Sequence, residues 1–206
     1  MSPSPLGGAG SKPRFYGKYR GMVFDNSDPM QVGRILAQVP DVLGETASSW
    51  ALPCVPAAGV QAGCFIVPPI GSQVWIEFEQ GDPSFPIWTG GFWGLVADVP
   101  VVALTPAPIP PGQTIVLQTT GQNALALSDA PPSPTSGGII LKAAGGAMIV
   151  VNDAGVFISN GKGATITLTG PTVSVNSGAL TVVGVTVAVD GAPLTPGALE
   201  SGETPP

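Results

Sequence analysis

The sequence predicts an all-β protein in two parts, a small N-terminal barrel and a C-terminal array of short strands. Short apolar runs bounded by Pro, Gly, Asn and Asp turns fill residues 14–96. Strand-sized segments then recur at a spacing of roughly eight to ten residues over residues 113–190. Charged residues make up only 10% of the 206-residue chain. Part of the apolar surface is therefore expected to be buried between chains.

The N-terminal part contains five or six strand-sized runs within about 80 residues, a density typical of a small closed barrel. In the run SQVWIEFEQG we expect Val74, Ile76 and Phe78 on the buried face, with Glu77 and Glu79 on the solvated face. The runs are YRGMVFDN, VGRILAQVP, WALPCVP, CFIVPP, SQVWIEFEQG and PIWTGGFWG.

Three segments lie outside these two parts. Residues 1–13 are rich in Pro, Gly and Ser, which predicts a disordered leader. Residues 97–112 carry several prolines that cannot donate ladder hydrogen bonds, so we expect an extended, semi-rigid connector. The strand repeats are expected to end near Val189, with residues 191–206 forming a flexible tail.

The C-terminal repeats alternate apolar and polar residues. Ile166 and Leu168, for example, alternate with threonines, which predicts one apolar face and one face lined by Thr and Ser. Such short strands at a regular spacing are typical of a β-solenoid or of a fibre built from several chains. The segments are TIVLQTT, NALALSD, GIILKAA, AMIVVND, GVFISNG, ATITLTG, TVSVNSG, ALTVVG and VTVAVDG.

One copy of these repeats has no second apolar layer to cover its aliphatic side chains, so we expect other copies to bury them. Each side chain contributes about 1.5–3 kcal/mol on full burial. Nine strands stacked at roughly 4.8 Å would give a shaft on the order of 40 Å long. Three chains wound about one axis would direct inward Ile139, Leu141, Ile149, Val151, Val156, Ile158, Ile166, Leu168, Val173, Val175, Leu180 and Val182.

Three ordered blocks carry a resemblance to a known family: YRGMVFDNSDPMQVGRILAQVPDVLG, SSWALPCVPAAG and GCFIVPPIGSQVWIEFEQGDPSFPIWTGGFWG. Residues 14–94 resemble the OB (oligosaccharide/oligonucleotide-binding) domain of the phage baseplate assembly protein V and tail spike family. That family includes the valine-glycine-repeat spikes of type VI secretion and extracellular contractile injection systems. The resemblance implies an OB-fold barrel followed by a triple-stranded intertwined β-helix needle in a homotrimer.

The resemblance also implies a function. Family members form the central spike below a trimeric baseplate hub protein and pierce the target cell envelope as a passive needle. A tip-capping PAAR-like protein or an effector would be a further partner. The positions matching the family's motifs, which the resemblance implies to be determinants of fold and assembly, are Gly33, Arg34, Trp50, Pro53, Cys54, Gly81, Asp82, Pro83, Pro86 and Trp88.

The chain also departs from some members of the family. Members with a lysozyme domain between barrel and needle are longer, whereas here a short connector follows Gly94, which leaves no room for that enzyme. Some needles close their tip with histidines around an iron ion, and this chain contains no histidine. We therefore expect no enzymatic activity, catalytic residue, cofactor or metal.

The charge balance argues against a nucleic-acid partner. The net charge is −6, and Lys and Arg are absent from residues 35–141, so the chain offers no basic groove. The aromatic residues that could stack bases are Trp75, Trp88, Phe92 and Trp93, and we assign them to the barrel core or to contacts between barrels.

Other candidate chemical motifs have plainer explanations. Glu77 and Glu79 lie on the same strand face, whereas the carboxylates of a glycosidase flank the substrate. The loop at residues 161–163 lacks the spacing of a phosphate-binding loop and is expected to be a turn. Cys54 and Cys64 are expected to be small buried residues.

Two alternatives to the spike remain. A tail-associated cell-wall hydrolase would show activity in a turbidity assay on bacterial walls. A receptor-binding β-fibre or adhesin would occur in several copies around the rim of the particle, whereas a spike occurs once as a trimer.

The start of the chain lacks the apolar core of a signal peptide. We therefore expect synthesis in the bacterial cytoplasm and assembly into a phage tail-like particle, with some preference for an extracellular injection device.

Overall fold

The computed structural model describes residues 13–104, 114–178, 188–189 and 192–193. The chain divides into two compact units, Met1–Val99 and Pro100–Pro206, and each unit has its own main sheet. Among the described residues, no helix has the length and apolar character needed to cross a membrane.

The N-terminal unit is built on a five-stranded sheet with the strand order β2-β1-β6-β7-β3. Its pairs are antiparallel except β3 with β7, which is parallel, and β4 and β5 form a separate hairpin. The elements are β1 Tyr19–Asp25, β2 Leu36–Gln38, helix α1 Pro40–Leu43, β3 Leu52–Pro53, β4 Ala58–Gly59, β5 Ala62–Gly63, β6 Gln73–Phe78, β7 Pro86–Gly91, and 3-10 turns at Glu79–Gly81 and Val96–Asp98.

Strand alternation creates the core of this unit. In β6, Val74 and Ile76 are fully buried and Phe78 is nearly so, as the sequence predicts. Trp75 and Glu77 occupy the opposite face and are only half-buried. The unit therefore covers its own apolar face. Its core consists of Val23, Ile35, Ala37, Val39, Ala51, Val74, Ile76, Phe78 and Trp88.

The C-terminal unit contains a seven-stranded antiparallel sheet in which each strand pairs with the next along the chain. A two-stranded hairpin, β15 with β16, is also described. The elements are α2 Val101–Leu104, β8 Thr114–Gln118, β9 Ala124–Ser133, β10 Ser136–Lys142, β11 Met148–Asn152, β12 Gly155–Ser159, β13 Thr165–Thr169, β14 Thr172–Val175, a 3-10 turn at Asn176–Gly178, β15 Ala188–Val189 and β16 Ala192–Pro193.

The all-β fold class is confirmed. Seven of the nine repeat segments coincide with β8–β14, ALTVVG lies outside the described residues, and β15 lies within VTVAVDG. Residues 1–12 of the expected leader, residues 105–112 of the connector and most of the expected tail also lie outside them.

Two local expectations differ from the structure. The expected extended connector contains the helical turn Val101–Leu104, in which the N–H of Ala103 donates to the carbonyl of Pro100. Proline favours this arrangement because its fixed φ suits the first turn of a helix. The tail was expected to contain no strand, yet Ala192–Pro193 pairs with Ala188–Val189. Pro193 lies on an edge strand, because this sheet has only two described strands, and a missing N–H is tolerated there.

The expectation that both cysteines are buried is wrong. Cys54 is exposed and Cys64 is only partly buried, and both are free thiols. Cys54 directly follows β3 and Cys64 directly follows β5, so both lie in connections beside the sheet and not on its buried face.

Candidate functional site

One face of the C-terminal sheet carries two rows of aliphatic side chains that cross all seven strands. Directly paired residues on neighbouring strands share a face of the sheet, so the strand register defines both rows. We name these residues the aliphatic face. The first row is Ile115, Leu127, Ile139, Val151, Val156, Leu168 and Val173, and the second row is Leu117, Leu125, Leu141, Ile149, Ile158, Ile166 and Val175.

Within a single chain, the aliphatic face is largely open to solvent. On β10, Ile139 is 49% exposed and Leu141 is 46% exposed, whereas Ile140 between them is only 8% exposed. Val156 and Val175 are half-buried, and every other residue of the face is exposed. A soluble monomer rarely leaves so large a contiguous apolar patch uncovered. The face therefore has the character of a surface that another protein surface covers.

Most residues predicted for a trimer core lie on this face. Leu180 and Val182 fall outside the described residues. Burial of these side chains between chains stays a prediction. The ten predicted residues on the aliphatic face are Ile139, Leu141, Ile149, Val151, Val156, Ile158, Ile166, Leu168, Val173 and Val175.

Sequence reasoning missed four members of the face, Ile115 and Leu117 on β8 and Leu125 and Leu127 on β9. All four are exposed in the single chain. The signal was present in the sequence, because the two residues on each strand lie two positions apart, the spacing that places side chains on one face of a strand. The aliphatic face thus begins two strands earlier than predicted.

On the opposite face of the same sheet, the central column of side chains changes from apolar to polar along the sheet. On its first five strands an apolar column is largely buried within the chain and packs with Val102 of α2 and with Met148. On β13 and β14 the same column continues as Thr167 and Ser174. Within this column, the Thr and Ser expected from the sequence on the second face are therefore found on β13 and β14. The apolar part of the column is Val116, Ala126, Ile140, Val150 and Phe157.

In the N-terminal unit, Arg34 is held by a carboxylate earlier in the same loop. Its Nη2 and Nε atoms donate to Oδ1 of Asp28 at 2.6 and 2.9 Å, and the backbone N–H groups of Met30 and Val32 donate to the same carboxylate. These bonds, above all that from the Arg34 guanidinium, hold the pKa of Asp28 far below its usual range. The guanidinium also lies 5.4 Å from the ring centre of Trp50. This ion pair orders the loop.

The motif residues Gly33 and Trp88 are joined by a buried hydrogen bond. The indole Nε1 of Trp88 donates to the carbonyl of Gly33 at 3.0 Å. Gly33 has φ +82°, and a Cβ there would lie 3.3 Å from the Phe65 ring. Pro53 pairs with Trp88 across β3 and β7, and the Cys54 N–H donates to the Trp88 carbonyl at 2.9 Å. Three chain segments therefore meet at this tryptophan.

The GDPxxPxW motif forms the turn into β7. Gly81 is buried with φ +75°, so only glycine adopts this backbone without strain. Asp82 lies 3.5 Å from the guanidinium of Arg14. Pro83 is half-buried in the turn, and Pro86 is buried at the first position of β7. In this structure the motif residues make packing and turn contacts.

The four aromatic residues considered for base stacking occupy different environments. Trp88 lies in the barrel core. Trp75 and Phe92 have ring centres 4.6 Å apart, and the Arg20 guanidinium lies 5.4 and 5.0 Å from these two rings. Trp93 is 64% exposed. Assignment to the barrel core therefore holds for Trp88, while contacts between barrels remain untested for the other three.

The candidate chemical groups do not converge. Lys18 donates to Oε1 of Glu77 at 2.8 Å, and Glu79 begins the 3-10 turn after the strand. The loop at residues 161–163 is a turn in which the Lys162 N–H donates to Oδ1 of Asn160. Within the described ranges, no group of three or more His, Cys, Asp or Glu side chains is placed to hold a metal ion.

Family models match both units of the chain. The model described as the type VI secretion system/phage-baseplate injector OB domain matches residues 19–93, which contain β1–β7. The model described as the phage baseplate V C-terminal trimerisation domain matches residues 114–181, which contain β8–β14 and the whole aliphatic face. No curated protein matches the chain significantly.

Proposed function

Because this chain belongs to the phage baseplate V family through both its injector OB domain and its C-terminal trimerisation domain, we propose that it is the central spike of a contractile injection system. The resemblance in the sequence is thereby confirmed, the trimerisation domain supports a homotrimer, and both domains fit a role in the baseplate spike. The proposal adds that the spike sits under the baseplate hub and pierces the target envelope as a passive needle.

The aliphatic face is the observation that carries the proposal. Three copies of the sheet arranged around one axis would direct both rows inward and remove them from water, with about 1.5–3 kcal/mol for each fully buried side chain. The rows cross the strands, so they run along the direction in which the strands stack. At about 4.8 Å per step, seven strands span about 29 Å. This length is close to the hydrocarbon thickness of a bilayer, about 30 Å.

The same arrangement suits a part that transmits force. If the rows follow the trimer axis, an axial load is shared by the hydrogen bonds of every strand pair, from β8 with β9 to β13 with β14. Bending such a shaft would break many of these bonds together. The aliphatic face therefore supports the proposal through its packing and needs no reactive group, and both matched families are structural domains.

The proposed organisation follows the chain. We assign residues 1–13 to a leader, 14–96 to the OB domain, 97–112 to a connector, 113–190 to the needle and 191–206 to a tail. The OB domains would dock on a trimeric hub protein. The far end of the needle would carry a tip-capping PAAR-like protein or an effector and would enter the target envelope. A phage-baseplate family fits a component of a tail-like particle, and release of that particle from the producing cell is part of the proposal.

Copy number and position test the spike against a rim fibre. In a cryo-electron microscopy reconstruction of intact particles, we expect three copies of this chain on the particle axis below the baseplate. Several sets of copies around the rim would contradict the proposal and favour a receptor-binding fibre.

The piercing role has its own test. In tomograms of contracted particles on target cells, we expect spike density within or beyond the envelope, ahead of the tube. A spike that stays on the outer side of the envelope after contraction would refute piercing. The purified trimer is also expected to leave the turbidity of bacterial cell walls unchanged, and clearing of the walls would instead identify a hydrolase.

A further inference from the structure

An apolar turn follows the last strand of the OB domain. Trp93, Leu95 and Val96 are 64%, 70% and 74% exposed, and no charged side chain occurs from residue 93 to residue 97. We name residues 93–96 the collar. The OB match ends at residue 93 and the trimerisation match begins at residue 114, so nearly all of the collar belongs to neither matched domain.

Hydrogen bonds hold the collar in one conformation. The Leu95 N–H donates to Oδ2 of Asp98 at 2.9 Å, and the Asp98 N–H donates back to the Leu95 carbonyl at 3.1 Å. The Val99 N–H donates to the carbonyl of Val96 at 3.2 Å. An ordered turn that presents apolar side chains loses little conformational entropy when it is covered. The collar therefore presents ordered apolar side chains that the single chain leaves exposed.

The position of the collar in the chain indicates which partner covers it. Val102, six residues after Val96, packs against the buried column of the trimerisation sheet. In a trimer, each of the three collars is therefore joined to the trimerisation sheet by a short stretch of chain. Groups tethered in this way meet at an effective concentration of about millimolar, so even a small apolar patch is sufficient for a contact. The collar residues themselves are uncharged, and the nearest carboxylate, that of Asp98, accepts the Leu95 N–H.

From these observations we infer that the collars of the three protomers pack against one another and form a second contact between copies, separate from the aliphatic face. In this contact Trp93 of one protomer is covered by Leu95 and Val96 of a neighbouring copy. The inference rests on the homotrimer of the proposed function and adds to it a clamp in which Leu95 and Val96 lie outside both matched domains.

Cross-linking of the full chain tests this contact. In a Cys54→Ser, Cys64→Ser background, each Leu95→Cys chain carries one thiol, so brief oxidation or treatment with a short bismaleimide is expected to give covalent dimers on a denaturing gel. The matched control is Val60→Cys at the tip of the β4–β5 hairpin, where the side chain is 97% exposed. We expect the control to remain monomeric on the gel.

Light scattering on the same samples distinguishes failure of the collar contact from failure of the trimeric spike. A mass of three times 20.6 kDa without cross-linking at residue 95 overturns the collar contact and leaves the trimeric spike intact. A monomeric mass overturns both.

A second measurement keeps both native cysteines and therefore does not depend on the cysteine replacements. The contribution of Trp93 to fluorescence is obtained as the difference between the wild-type chain and Trp93→Phe. We expect this contribution to be several-fold less accessible to acrylamide in the trimer than free tryptophan is. Full accessibility of Trp93 in a sample of trimeric mass would overturn the inference.

Discussion

The two units of this chain bury apolar strand faces in different ways. In the OB domain, Val74 and Ile76 on β6 are completely inaccessible to solvent. On β13 of the trimerisation domain, Ile166 and Leu168 occupy the same alternating positions yet remain 39% and 38% exposed. The sequence pattern is the same in both strands. The comparison shows that alternation identifies the apolar face of a strand but does not identify what covers that face.

The difference also separates folding from assembly. The OB domain has a core formed by several strands and connections of one chain, so we expect its stability to be largely independent of other copies. The trimerisation sheet has one column buried within the chain and a second face that is largely exposed in the single chain. We therefore expect substitutions in the OB core to lower local stability and substitutions on the aliphatic face to alter oligomeric mass.

The largest effect is expected from a charge on the aliphatic face. Ile166→Asp should abolish the trimer, because three buried carboxylates would each cost several kcal/mol and would repel one another. The control is Thr167→Asp, its neighbour on the opposite face of the same strand, which should remain trimeric. Sedimentation or light scattering measures the mass. Equal masses for the two variants would show that the face is not buried between copies.

Truncations to alanine sharpen the comparison without adding charge. Ile76→Ala should lower the free energy of unfolding of the OB domain by about 2–5 kcal/mol and leave the trimer mass unchanged. Leu141→Ala should lower the free energy of unfolding by a similar amount per chain, but only in the trimer, because Leu141 is 46% exposed in the single chain. Denaturant unfolding at several protein concentrations distinguishes the two, since only the trimer transition should depend on concentration. A concentration-independent transition for both variants would contradict the comparison.

A smaller effect is expected from backbone strain within the OB domain. Gly33 has φ +82°, and an added Cβ would lie 3.3 Å from Phe65. Gly33→Ala should therefore destabilise this domain by about 1–2 kcal/mol. Gly44→Ala is a useful control because Gly44 also has positive φ but has no atom within 4 Å of an added Cβ. Both variants report the strain of a positive φ, and only Gly33→Ala adds crowding against Phe65, so the difference between their thermal midpoints measures the crowding. A Gly33→Ala variant as stable as wild type would show that neither strain nor crowding destabilises the domain.

The smallest effect at neutral pH is expected at the Asp28–Arg34 ion pair, and this effect should depend on pH. Because the folded pKa of Asp28 is lowered, its stabilising contribution is complete above the unfolded value of about 3.8 and is lost as the pH falls below that value. Asp28→Asn should reduce the thermal midpoint of the OB domain at pH 7. The difference from wild type should shrink as the pH falls from 4 toward 2. A difference that does not change with pH would show that the charge is not responsible.

Particular residues show how much of this arrangement was predictable. The spacing of Ile139 and Leu141 was enough to place both on one face. It did not show that Ile140 between them is buried within the chain, because β10 is apolar at all three positions and alternation is lost there. The hydrogen bond from Trp88 to Gly33 joins residues 55 positions apart. Such a partner is determined by the path of the chain and not by local pattern.

The sequence by itself determined the all-β class, most of the aliphatic face and the family, because strand periodicity and ordered motifs are local properties of the chain. Only the tertiary structure decided which apolar column the chain buries for itself, which cysteines are accessible, and that an ordered apolar turn follows β7. These features depend on packing between segments distant in sequence. Their burial is set by the three-dimensional path of the backbone, which local periodicity does not specify.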